Sequence, residues 1–162
     1  ITWVEEPVPP ENYEGYRRIR NAVDIPLAAG GAHFGRFEVT RLIQDGVGDI
    51  VQTNLGRCGG FSEAKYIART ATTQNVIVRP HVWNSGVGVA AALQFLATVP
   101  TYPHASGASP SVLFEFDRSE NPLRNQILKT PLDPSGGRLA VPKDPGLGIE
   151  VDEAAVDQYR ID

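Results

Sequence analysis

Four polar residues stand where short apolar runs end. Glu5 closes Trp3-Val4-Glu5, Asn54 follows Ile50-Val51-Gln52-Thr53, His81 follows Ile77-Val78-Arg79-Pro80, and Glu115 follows Leu113-Phe114. A carboxylate, an amide, an imidazole and a second carboxylate gathered on one rim would suit a hard divalent cation and the transfer of a proton. Each residue also has a plain reading on its own. Glu5 and Glu115 read equally as solvated strand-end charges, and His81 as a helix cap or a packed ring. Their joint placement is what points to chemistry, so the elements that carry them matter.

Short apolar runs alternate with helical stretches along the chain. Strands are expected at 2–5, 25–28, 49–52, 76–78 and 111–116, each bounded by Gly, Pro or polar residues. Between them the apolar spacing predicts helices at 12–22, with Asn12 as N-cap, then at 36–44, 61–74 and 87–96. The β-branched run Val76-Ile77-Val78 suits a strand covered on both faces. Strand–helix alternation of this kind implies an α/β fold, a parallel sheet with right-handed crossovers. In such sheets reactive groups collect at the C-terminal ends of the strands, where the four polar residues fall. A closed eight-fold barrel needs roughly 250 residues, and this chain has 162. Part of a TIM-type barrel, or a small open sheet, is therefore expected over 1–117. Pro122, Pro131, Pro134, Pro142 and Pro145 punctuate a loop-rich tail over 118–162. In it Gly136-Gly137 reads as a hairpin turn between Leu128 and Leu139, and 152–159 as a short helix.

The formal charge of −4 is mild and mixed in sign, which argues against a nucleic-acid partner. The longest apolar stretch, 87–99, is broken by Gly88 and Gln94 and is too short to span a bilayer. Cys58 is the single cysteine; with no disulfide to form, a reducing cytoplasmic setting is expected, with Cys58 a passive thiol in a Gly-rich loop. The chain opens without Met inside an apolar run and reads as entered mid-fold. Parallel strands at the two ends of such a sheet would need their open edges closed by another copy, an upstream segment or the tail.

Six strings in order carry a resemblance to the enolase superfamily, in its mandelate racemase/muconate lactonizing enzyme branch. Trp3-Val4-Glu5-Glu6-Pro7 looks like that branch's Glu-Glu-Pro motif, and Pro26-Leu27-Ala28-Ala29-Gly30-Gly31 resembles its next strand. Asn54 through Gly60 with Phe61-Ser62-Glu63 matches its Gly-Gly helix start. Pro80-His81-Val82-Trp83 with Ala90-Ala91-Ala92-Leu93-Gln94-Phe95 is similar to the seventh strand and helix of its acid-sugar members. The remaining two are Leu113-Phe114-Glu115-Phe116-Asp117, with Asn121-Pro122-Leu123-Arg124, and Pro145-Gly146-Leu147-Gly148-Ile149.

That resemblance implies the C-terminal portion of the barrel and a reaction on a sugar acid or its lactone. A Mg²⁺ ion holds the substrate carboxylate, a base removes the neighbouring proton, and an enediolate follows, as in the family's isomerases and lyases. It places Glu5 at the second metal-ligand position, His81 at the seventh-strand base and Glu115 at the eighth-strand position facing the substrate carboxylate or oxyanion. Two positions depart from the pattern: the third metal ligand falls on Gly31, and the aspartate partnering the histidine falls on Asn54. An Asn54 amide oxygen could still accept the imidazole N–H; the amide could also flip. The first metal ligand and the Lys-x-Lys base lie on strands before this chain begins. Mg²⁺ binding by this chain is therefore doubtful, and a catalytically silent barrel fragment, structural or ligand-binding, is the rival expectation. A homo-oligomer or a missing N-terminal half would complete the fold.

Other residues have weaker readings. Trp83, Asn84 and Arg57 could line a sugar-acid pocket, with Trp83 read equally as packing and Arg57 as a solvated loop arginine. His33, two residues past Gly31, is a stand-in ligand at best and otherwise a surface histidine. Glu6 should point away from Glu5 and pair with a helix or cap a loop. His104 is expected to be solvated in its Pro-rich loop. Gly56 with Gly59-Gly60 could cradle an anion, but lacks nucleotide-loop spacing.

Overall fold

The computed structural model describes residues 1–99 and 112–161. Four short strands, β1 (Val4–Glu5), β2 (Leu27–Ala29), β3 (Ile50–Val51) and β4 (Ile77–Val78), form one sheet in the order β1-β2-β3-β4. Every pairing is parallel, with Val4 opposite Leu27, Ala28 opposite Ile50, and Ile50 opposite Ile77. Strand order follows chain order, as right-handed β/α crossovers require. The middle of the sheet is dry: Leu27, Ala28, Ala29 and Val51 have no exposed surface. Its register is held from below by Asp49, which accepts the Leu27 N–H at 3.0 Å and the Arg20 guanidinium at 2.8 Å.

Helices alternate with these strands. In α1 (Tyr13–Arg20), Asn12 caps the first turn by accepting the Gly15 N–H at 2.9 Å. Val39, Leu42 and Ile43 of α2 (Gly35–Gln44) are buried, the spacing of a single helical stripe. Phe37 lies two residues from Val39, on the far side of that stripe, and is 85% exposed. A four-residue helix, α3 (Leu55–Cys58), precedes α4 (Gly60–Thr73), which buries Ala64, Ile67, Ala68 and Ala71. Gly59 joins the two at φ +105°, a conformation that disfavours any side chain. The Gly-rich loop expected around Cys58 is thus a helical turn, and Cys58 is buried at 2% exposure.

The chain divides into two compact units. Ile1–His81 with Thr98–Glu115 form the first, which holds the sheet and α1 to α4. Val82–Ala97 with Phe116–Asp162 form the second. Within the second, α5 (Gly86–Leu96) packs beside α6 (Pro122–Asn125) so closely that a Cβ on Gly86 would lie 2.6 Å from the Arg124 carbonyl oxygen. Asp117 and Arg124 form a buried ion pair at 2.7 Å. Hydrogen bonds from Ser119, followed by the Arg124 charge, hold the Asp117 carboxyl below the usual carboxylate range. The Gln94 amide reaches the Pro142 and Leu147 carbonyls and so fastens the tail to α5. Asp152 caps the last helix, α7 (Glu153–Asp157).

Three expectations change. Residues 112–116 are irregular and do not join the sheet as a fifth strand; Ser111 and His104 lie outside the described residues. The Gly136-Gly137 turn forms, closed by Ser135 and Arg138, but Leu128 pairs with Val151 instead of Leu139. Finally, α3 and α6 stand where loops were expected. Each is a single turn started by an asparagine cap, too short to show a periodicity.

Candidate functional site at the strand ends

Glu5 ends β1 and is exposed. Its Oε2 accepts the side-chain N–H of Gln52, one residue past β3, at 3.0 Å. Gln52 is only 1% exposed, so its amide leaves a closed core to hold the carboxylate. The Gln52 Oε1 and the neighbouring Thr53 hydroxyl find no hydrogen-bond partner among the described residues. Gln52 stands at a strand end in the sequence, yet nothing in its type signals that it would turn inward to support Glu5.

His81 follows β4, and its N–H donates to the Thr53 carbonyl at 3.3 Å, extending the β3–β4 pairing by one step. One ring nitrogen of His81 and one carboxylate oxygen each from Glu5 and Glu115 lie within 4.8 Å of one another. Asn54 joins this group through His81: its Nδ2 is 2.9 Å from the imidazole Nδ1. Asn54 also caps α3, its Oδ1 accepting the Gly56 N–H at 2.9 Å. The expected contact, an amide oxygen accepting an imidazole N–H, is therefore reversed. The reason is local: with its oxygen turned to the Gly56 N–H at the helix cap, the amide presents its nitrogen to the imidazole.

Glu6 lies one residue past β1, with its backbone at φ +37° and so outside the strand's alternation, and accepts the Gly30 N–H at 3.4 Å. Arg57 donates to the Gly31 carbonyl at 3.3 Å. His33 is not a surface residue: it is 5% exposed, its ring lies 6.1 Å from that of Tyr13, and its Nδ1 has no partner among the described residues. Burial lowers its pKa, with Glu6, Glu38 and Glu11 pulling weakly the other way. Nor does His33 belong to the Glu5–His81–Glu115 group. Trp83, 62% exposed, and Asn84, whose carbonyl accepts the Asn121 amide at 3.4 Å, belong to the second unit. The Tyr16 hydroxyl, buried beneath Glu5 and Glu6, is pushed far up by desolvation and then by those two charges.

Chemically, two carboxylates and an imidazole at this spacing can accept hydroxyl protons, face a substrate oxygen, or bind a cation. Of the carboxylate ligand positions that the sequence resemblance implies for magnesium, the one at position 31 is lost in this chain. At position 31 there is no donor, and a Cβ there would already lie 3.2 Å from the His81 Cδ2. The imidazole packs against position 31 tightly enough that a side chain there would have to displace it by a few tenths of an ångström. Glu5 alone of the resemblance's ligand positions in this chain keeps an oxygen donor, fewer than Mg²⁺ takes from a dedicated site.

Residues 1–155 match the family described as enolase C-terminal domain-like. Among curated proteins, the chain is 42% identical over 161 residues to a D-galactarolactone cycloisomerase of Agrobacterium fabrum, covering 99% of this chain and 42% of that protein. It is 35% identical to a D-galactonate dehydratase of Variovorax paradoxus, over 95% of this chain and 40% of that one. The chain thus spans about two fifths of the length of the curated relatives it matches. In structure it resembles the 3,6-anhydro-D-galactonate cycloisomerase of Zobellia galactanivorans, with a TM-score of 0.84 and 35% identity over 98% of this chain and 42% of that one. A mandelate racemase/muconate lactonizing enzyme-type structure from Labrenzia alexandrii gives 0.80 and 29%, over 97% and 39% of the two chains. With its parallel strand-end rim and these matches along its whole length, the chain belongs to the enolase C-terminal domain-like family, in the mandelate racemase/muconate lactonizing enzyme branch.

Proposed function

We propose that this chain carries the later part of the rim of an acid-sugar enzyme of the dehydratase, cycloisomerase and racemase group. The parent reaction would begin by removing the proton next to a carboxylate and pass through an enediolate. One observation carries the reading: Glu5, His81 and Glu115 converge within 4.8 Å, from three separate places in the sequence. Carboxylates accept the hydroxyl protons of a polyol, and an imidazole beside them suits proton or hydrogen-bond transfer at the carbon–oxygen framework. The relatives' substrates, D-galactarolactone and D-galactonate, name the ligand class: a sugar acid or its lactone. No described helix is long and apolar enough to cross a membrane, and a cytoplasmic setting fits metabolites of this kind.

A second reading has its own support. Gly31 removes a ligand and Asn54 removes a charge, so the rim would bind a sugar acid without turning it over. Proton NMR in D₂O separates the two, with D-galactonate or D-galactarolactone added to the chain, with and without Mg²⁺. Loss of the signal next to the carboxylate supports the enzyme. Saturable perturbation without loss supports the binding rim, and it is the outcome expected of this chain alone. Silence in both overturns both. Calorimetry is expected to show Mg²⁺ or Mn²⁺ bound no more tightly than about millimolar, because two carboxylates and an imidazole, with no donor at position 31, supply few of the oxygen ligands a hard cation takes; tighter binding would overturn the account of position 31.

A further inference from the structure

His81 stands between two roles that need its proton on opposite nitrogens. To take a proton through Nε2, or to ligate a metal through it, the ring must carry its own hydrogen on Nδ1. To donate from Nε2, it must leave Nδ1 bare. Asn54 decides between these states. Its Oδ1 accepts the Gly56 N–H at 2.9 Å, and its Nδ2 faces the His81 Nδ1 at 2.9 Å. An amide nitrogen only donates, so Nδ1 must accept and the hydrogen resides on Nε2. Turning the amide over would bring Nδ2 against the Gly56 N–H, donor to donor, and would open the cap of α3. An aspartate could present an acceptor to both neighbours, whereas an asparagine can present only one.

Position 31 adds an independent observation. A Cβ on Gly31 would lie 3.2 Å from Cδ2 and 3.4 Å from Cγ of His81, so the ring occupies the space that a side chain there would take. With Nδ1 accepting from Asn54, the ring grouped with Glu5 and Glu115 carries its donor hydrogen on Nε2. Those two carboxylates accept hydroxyl groups, and Gln52 steadies Glu5 from the core. What the mouth needs from its third member is a donor to an oxygen.

We propose that Asn54 is a positioning residue that holds His81 as an N–H donor, an electrophile toward an oxygen of a polyhydroxy acid, in place of a proton-abstracting base. An imidazole whose Nδ1 accepts a hydrogen bond and whose Nε2–H polarises a substrate oxygen is an effective catalytic arrangement. The proposal rests on the preceding functional reading for the class of ligand alone; the tautomer follows from the two contacts of Asn54.

Long-range proton–nitrogen correlation on nitrogen-15-histidine-labelled chain tests it. The chain has three histidines, and loss of one pair of signals in His81→Gln assigns the pair of interest. Spectra are taken about two pH units above the ordinary imidazole value of about 6.5. In the wild type, His81 is expected to show a protonated Nε2 and a bare Nδ1. The excess of that tautomer should be roughly tenfold or more, as a donor-against-donor contact enforces. In Asn54→Asp the two nitrogens should exchange character. A wild-type His81 protonated on Nδ1, or averaged between tautomers as free histidine is, overturns the proposal. The wild-type spectrum decides this by itself, even if Asn54→Asp fails to fold. Titration with D-galactonate should then shift the His81 Nε2–H saturably. The expected tautomer with no response to either D-galactonate or D-galactarolactone would overturn the sugar-acid reading and leave the positioning role of Asn54 standing.

Discussion

Buried polar atoms, more than the exposed ones, set the behaviour of individual residues in this chain. His33 is the clearest case. Its imidazole is 5% exposed, and its Nδ1 lacks a partner among the described residues. Burial resists the charged form, so its folded pKa lies below the ordinary value. The unfolded chain therefore takes up a proton below about pH 6.5 that the folded chain refuses. Stability from this group is complete above that pH and falls as the pH drops toward the lowered folded value. In urea titrations, His33→Gln is expected to flatten the pH dependence of the midpoint just below about pH 6.5. A slope identical to wild type would show that His33 is not the group responsible. Asn54 makes the complementary point. One atom distinguishes its amide from a carboxylate, and the α3 cap turns its one acceptor atom away from His81.

At the scale of elements, close approach decides more than propensity. Four glycine-bearing junctions illustrate how: Gly59 permits the α3–α4 turn at φ +105°, Gly31 makes room for an imidazole, Gly136-Gly137 closes a one-bridge hairpin, and Gly86 lets α5 meet α6. The last is the most rigid. A Cβ on Gly86 would sit 2.6 Å from the Arg124 carbonyl oxygen and 2.8 Å from the Leu128 Cδ1. Backbone cannot rotate away as a side chain can. Gly86→Ala is expected to destabilise the second unit by about 2 kcal/mol through overpacking. Denaturant unfolding followed by near-UV circular dichroism measures this, and an unchanged midpoint would contradict the packing described for α5 and α6. In an exposed helix interior the same substitution would stabilise, which makes the sign of the effect diagnostic.

For the molecule as a whole, the sheet poses an unsolved edge. Among the described residues, β1 and β4 each pair on one side only. Parallel strands covered by helices do not tolerate such edges in water, because their free N–H and C=O groups recruit another chain. Self-association of this chain is the expected consequence, with a concentration-dependent mass by light scattering. A monodisperse monomer across the accessible range would argue that the edges are protected within the chain. The relatives are about two and a half times as long as this chain.

Much of this was legible in the residues themselves. Period-two apolar runs and period-3.6 stripes reflect how side chains leave a strand or a helix, so β1 to β4, α1, α2, α4 and α5 lie close to where the pattern places them. The placing of Glu5, Asn54 and His81 together was legible for the same reason: parallel strands send their C-terminal ends to one side, whereas Glu115 joins them from an irregular segment that is not the strand the pattern suggested. Single-turn α3 and α6 were not, since four residues carry no period. Tertiary structure alone decided which way the Asn54 amide faces, that His33 is buried, and that the His81 ring fills the space above Gly31. Each of these depends on a neighbour distant in sequence or on competition for one acceptor, and neither leaves a trace in residue type or spacing.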